Sequence, residues 1–148
     1  MKRIFIDREK CLACLTCMVV CMNVHRDKPG HVNDLQLFSG IESRNYNTLA
    51  GNYSTPIICR HCDVPECVAT CMSGALQKHL KSQHVIYDKE QCGQCFMCVM
   101  SCPYGLPRPD IESRTEVIRC HFCIGIAEGP SCAASCPVGT LSVVEVEC

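Results

Sequence analysis

No tryptophan occurs in the 148 residues, and Tyr and Phe supply only four side chains each, so the aromatic weight that usually anchors a core is nearly missing. Long apolar runs are missing as well. None exceeds six residues, the length of Cys17-Met18-Val19-Val20-Cys21-Met22, far short of the roughly 20 that span a bilayer. Leu, Ile, Val and Phe together number 36, a thin stock for a conventional core. Neither sign of charge dominates: 14 Lys and Arg face 15 Asp and Glu, and no basic run extends beyond Lys2-Arg3. That removes the electrostatic footprint of nucleic-acid binding. No Gly-rich phosphate loop, Ser-His-Asp arrangement or paired-carboxylate pocket is present, and nothing reads as a flavin or nucleotide site. The absences exclude an ordinary enzyme fold, direct membrane insertion and a nucleic-acid partner, and the length allows one domain or two very small modules.

What the chain has in excess is cysteine, 17 residues of it. A composition of this kind is held together by covalent or coordinate links rather than by apolar burial alone. The start, MKRIFIDREKC, carries an acid at Asp7 and reaches Cys11 early, so no signal peptide is expected. An odd cysteine count also argues against a secreted disulfide scaffold. The expectation is reduced thiolates serving as metal ligands in the cytoplasm.

Sixteen of the cysteines fall into four runs of four. Run one is Cys11, Cys14, Cys17 and Cys21, spaced C-x2-C-x2-C-x3-C. Run three, Cys92, Cys95, Cys98 and Cys102, repeats that spacing and is followed by Pro103. Run two, Cys59, Cys62, Cys67 and Cys71, lengthens the middle gap to x4. Run four, Cys120, Cys123, Cys132 and Cys136, lengthens it to x8 and precedes Pro137. Runs one and three have the spacing that ligates [4Fe–4S] clusters in two-cluster ferredoxins. A cubane needs four thiolates on four iron corners. Three closely spaced cysteines on a curling chain can wrap three corners of one cube. The fourth, expected to begin or enter a short helix pointing away, is placed to ligate a neighbouring cube. Zinc knuckles also use C-x2-C pairs, but they join two pairs from distant knuckles and do not require a third and fourth cysteine repeated four times. Iron–sulfur is therefore the expected cofactor, with four [4Fe–4S] clusters.

The chain also repeats itself. Ile4 to Cys11 matches Val85 to Cys92 at an offset of 81, each an apolar strand, an acidic turn and a first ligand. Pro65 to Leu76 matches Pro130 to Leu141 at an offset of 65, each closing on a glycine before a strand. Ala75 to Gln77 and His84 to Tyr87 are expected to form a hairpin between runs two and three, and Ile4 to Ile6 to lie near Leu141 to Val146. Two exchange schemes remain open. A nested scheme pairs runs two and three inside runs one and four; a tandem scheme pairs one with two and three with four. Repeat symmetry does not choose between them, and spacing favours nesting only slightly.

The residues Cys59-Arg60-His61-Cys62-Asp63-Val64-Pro65-Glu66-Cys67, Cys92-Gly93-Gln94-Cys95 and Cys98-Val99-Met100-Ser101-Cys102-Pro103-Tyr104-Gly105 resemble the four-cluster ferredoxin-like subunits of the dimethyl sulfoxide reductase and formate dehydrogenase class. The short length and the MKRIFID start are most similar to the electron-transfer subunit of carbon monoxide dehydrogenase systems. The resemblance implies nested ligation. One cluster takes Cys11, Cys14, Cys17 and Cys136, and the second Cys120, Cys123, Cys132 and Cys21. The third takes Cys59, Cys62, Cys67 and Cys102, and the fourth Cys92, Cys95, Cys98 and Cys71. Cys21-Met22 and Cys71-Met72 depart from the usual Cys-Pro ending, which alters the turn beyond the ligand and not the ligand itself.

The expected fold is α+β: two pseudo-symmetric bacterial-ferredoxin-like modules, residues 54–108 nested within 1–53 and 109–148. The expected function is one-electron transfer between a large catalytic oxidoreductase subunit and a nicotinamide-flavin oxidoreductase, a hydrogenase or a ferredoxin, with no bond chemistry of its own. A freely diffusing polyferredoxin and a cluster-stabilised structural hub are the alternatives. Outside the ligands, Arg60, His61, Arg119 and His121 flank runs two and four and are either donors toward cluster sulfurs or solvated balancing charges. The stretch 23–53 reads as a cover, a docking surface or a hairpin, and Cys148 as a free thiol. Sixteen thiolates add −16 and four oxidised cores of +2 return +8, moving the formal charge of −1 to about −9, which suits a partner with a basic docking face. Protein purified without oxygen is expected to contain about 16 iron and 16 acid-labile sulfide per molecule and no stoichiometric zinc; an iron count near eight would contradict the four-cluster expectation.

Overall fold

Each cysteine run sits between a strand and a short helix, and the computed structural model describes this arrangement for residues 1–25, 42–50, 53–111, 114–126 and 129–147. β1 (Lys2–Ile6) leads through a 3-10 turn (Arg8–Lys10) into run one and α1 (Thr16–Val24). The hairpin β2 (Tyr46–Ala50) and β3 (Tyr53–Ile57) precedes run two and α2 (Glu66–Ala69). β4 (Leu76–Lys78) and β5 (Val85–Tyr87) connect to run three and α3 (Met97–Ser101). β6 (Arg108–Pro109), β7 (Val117–Ile118), run four, α4 (Ser131–Ala134) and β8 (Leu141–Glu145) complete the order of elements. The class is α+β and ferredoxin-like, built from short strands and short helices.

The sequence repeats become structural repeats. At an offset of 81, Ile4–Ile6 of β1 corresponds to β5 and the first residue of α1 to that of α3; at an offset of 65, α2 corresponds to α4 and β4 to the start of β8. β1 pairs antiparallel with β8, Ile4 opposite Val143 and Ile6 opposite Leu141, and β4 pairs with β5, Leu76 opposite Tyr87. Both pairs end on the same bond: the Asp7 N–H donates to the Thr140 carbonyl and the Asp88 N–H to the Ala75 carbonyl, each at 2.8 Å. Gly74 and Gly139 hold φ of +72° and +64°, the left-handed values a helix-terminating glycine adopts freely. The expected hairpin and the expected meeting of the two chain ends are thus both present.

One local expectation is corrected. In every run the third cysteine, not the fourth, enters the helix: Cys17, Cys67, Cys98 and Cys132 are each the second helical residue. The x3 gap is about one helical turn, so the helix spans from the third cysteine toward the fourth, which lies just past its end in runs two, three and four and within α1 in run one. The turn beyond does depend on proline. α3 stops at Ser101, and Cys102 before Pro103 is extended (φ −75°, ψ 115°), as a residue preceding proline prefers. α1 has no such block after Cys21 and runs on to Val24.

Burial follows the same division. α1 packs on α4 and α2 on α3. One core gathers Cys17, Ile58, Cys132 and Leu141 with Ile4, Ile6 and Met18 around them; the other gathers Leu76, Val85, Cys98 and Val117 with Val68 and Tyr87. Cysteines of the runs are members of both cores, so the space between the helices is closed partly by sulfur. The edges interleave, since β3 and Ile58 reach the first core from one side of run two and Val117 reaches the second. Among the described residues no helix is long and apolar enough to cross a membrane. Chelating the iron under anaerobic conditions is expected to abolish the far-UV circular dichroism of the folded protein, since apolar burial alone is too small to hold it; an iron-free protein that keeps its spectrum and a cooperative melt would contradict this.

Candidate metal centres

The runs curl because alternate residues take the left-handed conformation. Ala13 and Leu15 in run one have φ of +55° and +59°, and their repeat equivalents Gln94 and Phe96 have +54° and +55°. In runs two and four the residue two past the first cysteine does the same, His61 at +46° and Phe122 at +60°. None is glycine, so each carries a steric cost of about 1 kcal/mol or more. Alternation of this kind turns successive N–H groups inward and forms the concavity that binds anions and iron–sulfur clusters.

All sixteen described cysteines are free, and they come together in sets. Burial pushes Cys17 up to about 11, with the charges of Cys14, Cys11 and Cys136 adding to it. Burial likewise takes Cys132 up to about 12, reinforced by Cys21 and Cys123, and raises Cys120, where Cys59 and then Cys132 and Cys21 contribute. Cys67 rises to about 11 by burial, relieved by Arg119 and reinforced by Cys59 and Cys102, and Cys62 rises by burial as well. Cys98 is raised by burial, then by Cys71, Cys92 and Cys95. Apart from Cys59 acting on Cys120, the neighbouring cysteines are drawn from runs one and four, or from runs two and three. The charge of Cys17 also acts on Cys132, and that of Cys98 on Cys67.

Thiols this reluctant to ionise become thiolates when a cation meets them, which is the chemistry of a metal-donor set. The surroundings fit a ligated sulfur. Backbone N–H groups of Arg44, Leu76 and Phe122 approach the Sγ of Cys21, Cys71 and Cys120 at 3.4, 3.3 and 3.4 Å. Burial raises Cys71 and Cys136 too, but N–H groups of the following turn outweigh it and bring both below the ordinary thiol value. Among the described residues no three His, Cys, Asp or Glu close on a single ion; a cubane asks for less convergence, because each thiolate meets its own iron corner.

The residues flanking the runs separate into different settings. Arg60 is exposed and lies over the Tyr104 ring, 4.3 Å from its centre. His61 is buried and its Nδ1 accepts the Val85 N–H at 3.1 Å; burial, and then Arg119, hold it neutral down to about 2. Arg119 is buried, donating to the Val85 carbonyl at 2.9 Å with Nη2 3.8 Å from Cys59 Sγ. His121 meets His25, ring nitrogen to ring nitrogen, at 3.1 Å beside Cys21 and Cys120. The sequence reading missed Arg44, Asn45 and His84. Asn45 is buried with Nδ2 donating to the Cys17 carbonyl at 3.2 Å, and His84 reaches the Lys2 carbonyl at 2.9 Å, joining β5 to β1. Their partners lie far off in sequence, and no spacing announces them.

Residues 51–146, which contain runs two to four, match the family described as a 4Fe-4S dicluster domain. One subunit of the anaerobic dimethyl sulfoxide reductase of Escherichia coli (strain K12) is 33% identical over 150 residues, 93% of this chain and 70% of the relative. The electron transport protein HydN of the same organism is 30% identical over 157 residues, 96% of this chain and 87% of the relative. Among solved structures, a subunit of the active-site complex BamBC of benzoyl coenzyme A reductase aligns with a TM-score of 0.51 at 22% identity, covering 97% of this chain and 76% of that one. The last likeness concerns the fold.

The left-handed wrap can be tested at Leu15, whose side chain is 45% exposed and contributes little packing. Leu15→Val, which forces a β-branched residue into φ > 0, is expected to cost about 1–3 kcal/mol and to advance thermal bleaching of the cluster absorbance. Leu15→Gly should leave bleaching unchanged or delay it. Equal behaviour of the two variants would contradict the role given to the backbone.

Proposed function

The protein belongs to the 4Fe-4S dicluster domain family, and from that premise we propose that it conducts single electrons through four [4Fe–4S] clusters between a large catalytic oxidoreductase subunit and a second redox partner. It is an electron-transfer iron–sulfur subunit and not a catalytic one. The proposed sets are Cys11, Cys14, Cys17 with Cys136; Cys120, Cys123, Cys132 with Cys21; Cys59, Cys62, Cys67 with Cys102; and Cys92, Cys95, Cys98 with Cys71. The observation that carries the nested assignment is the packing of α1 on α4 and of α2 on α3, which draws together the thiols of runs one and four and those of runs two and three. A tandem exchange would require α1 on α2.

A bound [4Fe–4S] cluster supplies reversible one-electron storage. The residues do the rest. Three thiolates of a run hold a cube while the fourth crosses to the neighbour, so exchange fixes the spacing within each pair. The mutual influence of the charges of Cys17 and Cys132, Cys120 and Cys59, and Cys67 and Cys98 supports a single row in the order given. Both ends of that row are thinly covered. Cys14 is exposed with Leu12 and Leu15 beside it; at the other end Cys95 is exposed, flanked by Met97 and Met100 of α3, and Met72 next to Cys71 is 94% exposed. Exposed apolar side chains grouped around a redox centre suit partner surfaces.

The partner we favour is a catalytic subunit of carbon monoxide dehydrogenase, formate dehydrogenase or tungsten aldehyde oxidoreductase type, passing electrons to a nicotinamide-flavin oxidoreductase, a hydrogenase or a ferredoxin. The relatives support a catalytic companion: one is a subunit of dimethyl sulfoxide reductase and another an electron transport protein. Sixteen free thiols suit a reducing compartment such as the cytoplasm.

Two double substitutions in the full-length protein test the ligation. Under nesting Cys21→Ala with Cys120→Ala damages one cube, leaving about 12 iron, whereas Cys21→Ala with Cys59→Ala damages two, leaving about eight. The reverse ranking would establish tandem exchange. For the function, the tagged protein expressed anaerobically is expected to co-purify with a large oxidoreductase subunit and to accept its electrons. Turnover of carbon monoxide, formate or aldehyde by the isolated protein would contradict the reading.

A further inference from the structure

A buried cation without a carboxylate lies where runs two and four meet. Arg119 is 2% exposed. Its guanidinium donates from Nη1 to the Val85 carbonyl, Nη2 lies 3.8 Å from Cys59 Sγ, and Nε has no hydrogen-bond partner. The four ion pairs among the described residues engage Arg3, Lys10, Lys89 and Arg108, not Arg119. A guanidinium stays protonated in proteins, and withdrawing one from water costs far more than a bond to a neutral carbonyl returns. The compensating negative charge must come from elsewhere. Sulfur is the nearest source: Cys59, whose Sγ the guanidinium approaches, opens run two, and the charge of Arg119 also acts on Cys67 of the same run; Cys120, the next residue in the chain, opens run four and feels the charge of Cys59. Two imidazoles pack close by: His61 accepts the Val85 N–H through Nδ1, and His84 stacks on Phe122 with ring centres 4.1 Å apart. Their rings exclude water and keep the local dielectric low, which strengthens the interaction of Arg119 with any anion beside it.

We propose that Arg119 is the shared counter-cation of the two clusters held by runs two and four, and that it raises both their reduction potentials above those of the clusters at the ends of the row. Under either exchange scheme the first cysteines of two runs belong to different cubes, so the inference rests on the cluster reading and the order of the row, not on nesting. Each reduction adds one electron and no proton to a cube that is already anionic with its four thiolates. A cation that reaches both cubes favours the added electron on either and offsets the repulsion when both hold one. The consequence is a row whose middle accepts electrons more readily than its ends. Arg44, whose Nη1 donates to the Arg119 carbonyl at 3.2 Å, fixes the backbone from which the guanidinium projects.

The test compares the full-length holoprotein with Arg119→Gln, which can still donate to Val85 but carries no charge, and with Arg119→Lys, which keeps the charge. Each is checked for full iron loading and then titrated against solution potential with low-temperature electron paramagnetic resonance. In Arg119→Gln two of the four potentials are expected to fall and two to stay. At a fixed solution potential the reduced-to-oxidised ratio of each affected cube falls about tenfold, which is about 59 mV for one electron. Arg119→Lys is expected to hold both near the unsubstituted values. Four unmoved potentials in loaded Arg119→Gln would overturn the proposal, as would a fall in Arg119→Lys as large as in Arg119→Gln. Should Arg119→Gln fail to load, the unsubstituted protein decides. The first two electrons should enter cubes whose signals resist broadening by an aqueous paramagnetic ion, because the accessible thiols Cys14 and Cys95 belong to the end sets; early signals that broaden readily would overturn it. Unmoved potentials with four intact cluster signals leave the electron-transfer reading standing, whereas missing cluster signals in the unsubstituted protein strike that reading itself.

Discussion

A thiolate removed from water must meet a cation, and this requirement organises the molecule. Cys17, Cys98 and Cys132 lie in the two cores where Leu or Ile would normally sit, and burial holds them and Cys67 above the ordinary thiol value. Empty, such a core is a poor one, since thiols facing thiols gain little and leave space unfilled. With metal, the same side chains become the strongest links in the fold. Folding and cluster loading are on this account one event. The left-handed residues at 13, 15, 94 and 96 follow from it, because a backbone that wraps a small anionic body has to turn its N–H groups inward and accept the steric cost.

Duplication explains why the two halves look alike, and the joint between them explains why they are not independent. β1 with β8 repeats β4 with β5, down to the terminal N–H bond at Asp7 and Asp88. Across the joint, His84 bonds the Lys2 carbonyl, His61 accepts the Val85 N–H, and Arg119 reaches both Val85 and Cys59. Polar side chains buried at such a seam cost desolvation and in return fix one arrangement of the halves. The seam also separates the sets with exposed thiols from one another, so a path from Cys14 to Cys95 has to cross it.

The cluster-binding pattern was legible because iron–sulfur chemistry writes its spacing directly into the sequence, four times over. The strands were legible for a related reason: β1 and β5 precede their runs by the same acidic turn, and Gly74 and Gly139 mark equivalent stops. The direction of the helices was misjudged at the fourth cysteine, although the x3 gap, one helical turn, already contained the answer. Arg44, Asn45 and His84 were invisible because each serves a backbone or sulfur atom brought near only by folding. Symmetry itself hid the choice of exchange partners, since nested and tandem schemes join the same types of run. The hairpin β2–β3 begins in the later part of the stretch read as a cover, a docking surface or a hairpin; residues 26–41 of that stretch lie outside the described residues, as does Cys148.

The central claim is that four cubes stand in one row with each pair locked by exchanged cysteines. Diffraction from crystals of the anaerobic holoprotein, collected at the iron absorption edge, tests it most directly. The account predicts four iron sites in a line, with Cys136 on the cube of Cys11, Cys14 and Cys17 at one end, and Cys71 on the cube of Cys92, Cys95 and Cys98 at the other. Cys136 bound to the cube of Cys92, Cys95 and Cys98, or four sites without a common line, would contradict it.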